Sequence, residues 1–155
     1  MQVNIALLTV TDTRTIETDK SGAILVKKIK ENNHNLIDRK IVKDEKDKIK
    51  KILSEWIKKD NIDVIITTGG TGLTGRDITP EVIKDIGDKE IPGFGELFRE
   101  LSYKTVGTSA MQSRACAVLA NGKYIFALPG SSGGVIDAWD GILKYQLDIN
   151  HKPCN

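Results

Sequence analysis

The 155-residue sequence predicts an α/β fold, a three-layer, doubly wound, mostly parallel sheet with one antiparallel strand and helices on both faces. Three observations carry the prediction. Short β-branched runs alternate with amphipathic helical patterns through the first half of the chain. The run at 64–67 passes directly into Gly69-Gly70-Thr71-Gly72-Leu73-Thr74-Gly75 before the next helical pattern opens. Late in the chain Asn121-Gly122, a strong hairpin signal, joins two strand patterns and makes the sheet mixed.

Residues 3–10 read as the first buried strand, followed by the polar turn Thr11-Asp12-Thr13-Arg14, which taken alone is a solvated loop. A helix is expected from Asp19 or Ser21 to Asn32-Asn33, with Leu25 and Ile29 inward, and a second strand at 36–42. Asp44 is expected to cap the second helix, where Ile49, Ile52, Leu53, Trp56 and Ile57 recur at i, i+3, i+4, i+7 and i+8. A third helix should open at Thr79 with Pro80 in its first turn and stop at Gly87. The region around Asp88 and Glu90 runs into Pro92-Gly93 and reads as no strand. A fourth helix opens at Pro92-Gly93-Phe94-Gly95-Glu96, with Phe94, Leu97, Phe98 and Leu101 on one face. Thr108 and Ser109 suit a short capped turn, and 114–119 and 124–128 form the hairpin. Pro129-Gly130-Ser131-Ser132-Gly133-Gly134 is a second strand-to-helix glycine junction, after which Val135, Ala138, Trp139, Ile142 and Leu143 face inward. The tail at 151–155 reads as extended. No repeat, low-complexity segment or long linker divides the chain, so residues 1–155 form one domain.

Composition narrows the chemistry. The net charge is +2 and lysines alternate with Asp and Glu, so no basic block marks a nucleic-acid surface. No apolar run has the length of a membrane span, and the N-terminus lacks the basic flank of a signal peptide, which points to a cytoplasmic protein with no membrane partner. Cys116 and Cys154 lack metal-ligand spacing and read as free thiols. With His34 and His151 the only histidines, zinc sites and His-based triads are disfavoured. Carboxylates, hydroxyls, Arg/Lys and backbone amides are left to carry function.

In a doubly wound sheet, ligands bind beyond the C-terminal strand ends. Residues 11–14, Asp44, 69–77 and 129–132 should all reach that rim. A glycine loop straight after a strand can aim bare N–H groups at a phosphate, and Arg76 and Asp77 add a cation and a carboxylate. Gly70-Thr-Gly72-Leu-Thr-Gly75 fits G-x-G-x-x-G by letter, but Pro80 delays the helix that motif needs. Gly70-x4-Gly75 fits the spacing of a Walker A loop, yet Arg76 and Asp77 stand where Lys and Ser/Thr belong. A turn without a ligand would need fewer than four glycines in seven residues.

The segments Gly69-Gly70-Thr71-Gly72, Arg76-Asp77-Ile78-Thr79-Pro80-Glu81, Pro92-Gly93-Phe94-Gly95-Glu96, Ser109-Ala110-Met111-Gln112-Ser113-Arg114 and Leu128-Pro129-Gly130-Ser131 occur in this order. Together they resemble molybdenum cofactor biosynthesis proteins of the MoaB/MogA type, which are related to the G domain of plant and animal molybdenum-insertion proteins. The resemblance covers nearly the whole chain. Ala138-Trp139, Gln146-Leu147-Asp148 and Lys152-Pro153-Cys154-Asn155 are more similar to the MoaB branch. It implies a molybdopterin-binding domain whose active members adenylylate molybdopterin with ATP and Mg²⁺. The family's two important aspartates match Asp44 and Asp77, which the resemblance marks as catalytic and metal-holding. The ligand-binding residues it implies are Thr11, Asp12, Gly69, Gly70, Thr71, Gly72, Arg76, Ser109, Pro129, Gly130 and Ser131. It also implies other proteins of the molybdenum cofactor pathway as partners, and a homotrimer or a hexamer of two trimers. A molybdopterin-binding or assembly protein without turnover is the alternative; the presence of both aspartates favours the enzyme. A generic nucleotide-binding regulator accounts for the glycine loop alone.

Overall fold

The computed structural model describes residues 2–147; the tail expected to be extended, with His151 and Cys154, lies outside the described residues. The strands are β1 (Asn4–Val10), β2 (Asn35–Val42), β3 (Val64–Thr68), β4 (Lys89–Glu90), β5 (Cys116–Ala120) and β6 (Lys123–Leu128). The helices are α1 (Lys20–Glu31), α2 (Lys46–Ile57), α3 (Thr79–Ile86), α4 (Pro92–Val106), α5 (Ser132–Ala138) and α6 (Lys144–Gln146). A 3-10 turn, Gly107–Gln112, follows α4, and a π turn, Trp139–Leu143, joins α5 to α6. Among the described residues one sheet forms, in the order β2-β1-β3-β6-β5-β4. β1 pairs in parallel with β2 and β3, and β3 with β6; β5 alone runs against its neighbours. The hairpin between β5 and β6 turns at Asn121 and Gly122, both with positive φ, as a type I′ turn requires.

The two-residue alternation of strand side chains sorts the core into two layers. Ile5, Leu7, Ile66 and Phe126 face α1, α4, α5 and the π turn, where Leu25, Phe98, Val135 and Trp139 complete one cluster. Ala6, Leu8, Ile65 and Ile125 face α2 and α3 and meet Ile49, Leu53, Trp56, Val82 and Ile83. Each fully buried Leu or Ile contributes roughly 1.5–3 kcal/mol. The inward positions expected of α2 and α5 are largely buried, with Ile52 and Ile57 only partly so.

Two sequence expectations fail. Lys89 and Glu90 do form a strand, pairing with Leu119 and Val118. It is a two-residue edge piece held by the Asp88 and Ile91 amides, which donate to Leu119 and Ala117, and the adjoining Pro92-Gly93 hides it from sequence patterns. Asp44 does not cap α2. The N-cap is Glu45, and no side chain accepts there. In α4 the apolar face divides: Phe94 and Phe98 are buried, Leu97 is exposed and Leu101 half-buried.

Asp19 does cap α1, accepting the Gly22 amide at 3.0 Å. Its buried carboxylate also accepts from Thr9 Oγ1 at 2.6 Å and Arg39 Nη2 at 3.2 Å, which joins β1, α1 and β2 at the sheet's C-terminal edge. Cys116 is a free thiol, and burial pushes it up to about 11, so it stays protonated at neutral pH.

Candidate ligand cleft at the sheet switch point

The strand order reverses between β1 and β3, because the chain leaves β1 for β2 on one side and reaches β3 on the other. Loops on either side of such a point diverge and leave a crevice. Here a cleft of about 480 Å³ opens, lined by Thr11 after β1, Asp44 after β2, Gly69–Gly72 and Asp77 after β3, and Pro129–Ser131 after β6. It continues past Thr11, Gly69, Gly130 and Ser131 into a smaller recess of about 280 Å³ at the start of α1, which also meets Arg14, Lys20 and Ser21.

The glycine loop is shaped by its own backbone demands. Gly69 and Gly70 have φ of +100° and +71°, a region side chains disfavour. A Cβ on Gly69 would run into the Val10 carbonyl, and one on Gly70 into Thr79 Oγ1 and, at 3.2 Å, Asp44 Oδ1. Gly72 has no positive φ, but its Cβ would lie 2.7 Å from Asp77 Oδ2. Gly70 and Gly72 thus let two carboxylates settle against bare backbone. Gly69 N–H donates to Leu128 at 3.0 Å, and Thr79 donates through Oγ1 to Gly69 at 3.0 Å and through N–H to Gly70 at 3.1 Å. Thr79 is therefore a loop anchor as well as the first residue of α3.

Three carboxylates stand around this loop in different electrostatic states. Asp12 accepts Arg76 through two bonds of 3.0 and 2.9 Å and also takes the Asp44 amide at 3.1 Å. The Arg76 guanidinium holds the Asp12 carboxyl below its ordinary value of 3.8. For Asp77 burial pushes the other way, but the Thr74 hydroxyl and amide at 2.7 and 2.9 Å, the Gly72 amide and the Arg114 charge outweigh it, so its pKa is lowered. Asp44 is raised, first by burial and then by the negative charges of Asp12 and Asp77. Asp44 is thus the carboxylate whose charge is least compensated.

The cleft gathers Thr11, Asp44, Gly69, Gly70, Thr71, Gly72, Asp77, Pro129, Gly130 and Ser131. Asp12 and Arg76 sit at its margin, paired with each other. Ser109 lies apart, in an adjoining groove that shares Ser113, Pro129 and Ser131 with the cleft. Sequence reasoning missed Gln112 and Ser113, which line the cleft because the 3-10 turn folds back over it, and Arg114, which binds the loop from behind. Their signals were membership of the family segment at 109–114 and position, a largely polar run just before a strand. Among the described residues no three His, Cys, Asp or Glu side chains converge as a metal site. Asp44 and Asp77 offer two hard oxygen donors, which suits a cation completed by phosphate oxygens and water.

A doubly wound sheet with a glycine loop and unequally compensated carboxylates at its switch point defines a small-ligand-binding α/β domain. The chain belongs to the molybdenum cofactor biosynthesis protein B (MoaB) family: residues 6–148 match the family described as "probable molybdopterin binding domain". It is 45% identical over 151 residues to molybdenum cofactor biosynthesis protein B of Escherichia coli K12, covering 97% of this chain and 89% of that one. It is 48% identical over 149 residues to the protein of the same name from Staphylococcus aureus MRSA252, covering 94% and 88%. A crystal structure of molybdenum cofactor biosynthesis protein B superposes with a TM-score of 0.92 at 44% identity over 95% of this chain and 92% of that one. The tungsten cofactor synthesizing protein MoaB from Pyrococcus furiosus gives 0.82 at 37% identity over 92% and 91%.

Two expectations follow from the geometry. Gly72→Ala should displace Asp77 and weaken ligand binding while leaving thermal unfolding near wild type. Gly70→Ala, forced into positive φ against Thr79, should cost about 1–2 kcal/mol of stability. Calorimetric binding and denaturant unfolding of both variants check this contrast. The second concerns pH. Asp12 and Asp77, held below 3.8, contribute stability above 3.8 that is lost as pH falls through their folded values. Asp44 has the opposite sign: its folded pKa lies above 3.8, so its contribution is lost as pH rises from 3.8 through the folded value. Asp77→Asn removes one like charge and should move the Asp44 titration to lower pH, read from its ¹³C carboxyl resonance.

Proposed function

We propose that this protein is a molybdopterin adenylyltransferase that uses ATP and Mg²⁺. The observation that carries the reading is the placement of Asp44 and Asp77 against the bare backbone of one glycine loop, in a cleft where burial and the charges of Asp12 and Asp77 outweigh the Arg76 charge at Asp44. A molybdopterin phosphate oxygen would bond to the α-phosphorus of ATP as the α–β anhydride breaks, and pyrophosphate leaves with the electron pair. The attacking phosphate is already ionised at neutral pH, so the site needs no general base. What it must supply is charge neutralisation and in-line positioning. Asp44 and Asp77 would hold Mg²⁺, which when bound neutralises phosphate charge. Loop amides other than those of Gly69 and Gly72, which already donate to Leu128 and Asp77, and the turn at Gly130-Ser131 would orient phosphoryl oxygens. Thr11 and Pro129 would form the walls against which the substrates lie.

Asp77→Asn keeps an oxygen to accept from Thr74, loses the charge and exchanges the second acceptor oxygen for an amide donor. Asp44→Asn disturbs no helix cap, since Asp44 makes none. Each should lower turnover by roughly 10- to 100-fold, the scale set by partners in metal sites, with unfolding midpoints near wild type. The assay is pyrophosphate release from molybdopterin, ATP and Mg²⁺. Near-normal release from both variants would remove the assignment. Molybdopterin binding without any release by the wild type would favour the alternative of a carrier or assembly protein of the same pathway.

We also propose a homo-oligomer, a trimer or a hexamer of two trimers, with other proteins of the molybdenum cofactor pathway as partners in the cytoplasm. No helix among the described residues is long and apolar enough to cross a membrane. Leu97, Tyr103 and Val106 on α4 and Met111 in the following 3-10 turn are 53%, 61%, 52% and 80% exposed, apolar surface that is available to protein contacts. Light scattering at micromolar concentration should give a multiple of 17.1 kDa; the single-chain mass would exclude the assembly.

A further inference from the structure

Arg114 lies between the 3-10 turn and β5, yet its bonds go to the segment joining β3 to α3 and to the first turn of α3 itself. Its amide donates to the Thr71 carbonyl at 2.9 Å. Its guanidinium donates through Nε to the Gly72 carbonyl at 2.8 Å, through Nη2 to the Asp77 carbonyl at 2.6 Å and through Nη1 to Glu81 at 2.6 Å. The excursion it spans is otherwise exposed from Leu73 to Arg76. Thr74 and Asp77 close the tip on itself, the Asp77 amide reaching the Thr74 carbonyl at 3.0 Å and the Asp77 carboxylate taking the Thr74 amide and hydroxyl. Those bonds shape the tip without fixing it to the sheet. Thr79 fixes the loop's beginning, at Gly69 and Gly70. The Arg76–Asp12 pair is solvent-exposed, and such pairs hold weakly.

We propose that Arg114 is a positioning residue for the reaction: its planar fork pins the Gly72 and Asp77 carbonyls and so fixes the Asp77 carboxylate opposite Asp44. The proposal rests on reading Asp77 as a holder of the divalent ion. Three acceptors around one planar group match guanidinium geometry; a lysine ammonium is a compact point charge and cannot serve both carbonyls and Glu81 from one place. The Arg114 charge also helps keep Asp77 ionised. The Glu81 contact is separable, since it tethers α3 and touches neither carbonyl. Arg114 is half-buried, with its side chain 34% exposed, which leaves room for substitution.

The experiment titrates Mn²⁺ with ATP present, read by electron paramagnetic resonance, in wild type, Arg114→Lys and Glu81→Gln, alongside pyrophosphate release against Mg²⁺ concentration. Arg114→Lys should weaken protein-bound Mn²⁺ about 10-fold and raise the Mg²⁺ needed for half-maximal turnover by a similar factor. Glu81→Gln should leave both within about twofold on the same scale while lowering the unfolding midpoint slightly. Arg114→Lys with wild-type Mn²⁺ affinity would overturn the proposal, as would equal losses in the two variants. In the wild-type chain the Arg114 Nε–H resonance should shift saturably with Mg-ATP; an unmoved resonance overturns the proposal however the variants fold. Mn²⁺ binding without pyrophosphate release would remove the adenylyltransferase reading and leave Arg114 to be decided on Mn²⁺ affinity. Absence of Mn²⁺ binding by the wild type would remove the metal role of Asp77 and this proposal together.

Discussion

The half-buried Asp44 carboxylate, facing the like charges of Asp12 and Asp77 across a loop with few side chains of its own, is the constraint on which the site depends. Like charges brought together out of bulk water must be neutralised, hydrogen-bonded or protonated. Each of the three meets this differently. Asp12 has the two-bond contact of Arg76. Asp77 has amide and hydroxyl donors from its own turn. Asp44 has neither in comparable strength, and its pKa rises. On the proposed reading, a cation beside Asp44 would offset this asymmetry and make an otherwise acidic pocket hospitable to phosphate groups. Without it, the loop amides and the carboxylates would act on an anionic substrate in opposite senses.

The sheet makes this arrangement possible. Parallel pairing of β2, β1, β3 and β6 brings four strand ends to one edge, and the reversal beside β1 opens a crevice there. The same edge is reinforced from below. Thr68 Oγ1 donates to the Pro129 carbonyl at 2.8 Å, tying the glycine junction after β6 to the end of β3. Asp19, buried under α1, joins Thr9 to Arg39. The rim loops mix exposed and half-buried residues with the buried Gly69 and Thr71, while Thr9, Asp19, Thr68 and Thr79, which hold their stems, are almost wholly buried. Rigidity is thus placed one layer behind the chemistry, where packing can supply it.

Much of this was legible in the sequence because the signals are local. The strand at 64–67, the positive-φ glycines after it, the helix opening at Thr79-Pro80 and the Asn121-Gly122 hairpin each follow from residues adjacent in the chain. What escaped depends on contacts distant in sequence. β4 has two residues and exists only because β5 offers an edge. Arg114 gains its significance from acceptors more than thirty positions earlier. Gln112 and Ser113 reach the cleft only through the fold-back of the 3-10 turn. Ser109, though part of a family segment, is set aside in a neighbouring groove by the same turn. The rim loops were predictable as a group from strand order, but which of their side chains are already paired was not. Asp12 and Arg76 look equally available in sequence and in fact engage each other.

Asp44 shows most clearly how a local rule yields to the site. Asp just before an amphipathic run is a favoured cap, worth about 1 kcal/mol. The helix instead starts one residue later, at Lys46 behind Glu45, and its first amides receive no side-chain oxygen. Stability available from capping is forgone, and the carboxylate turns to the cleft, toward Gly70 and two like charges that raise its pKa. Both choices are unfavourable for the folded chain alone. On the proposed reading they would be offset by a bound cation, which the same carboxylate would hold. A residue that gives up a cap to sit beside like charges is a candidate for ligand contact, because conflicts between local propensity and observed structure concentrate at functional or strained positions.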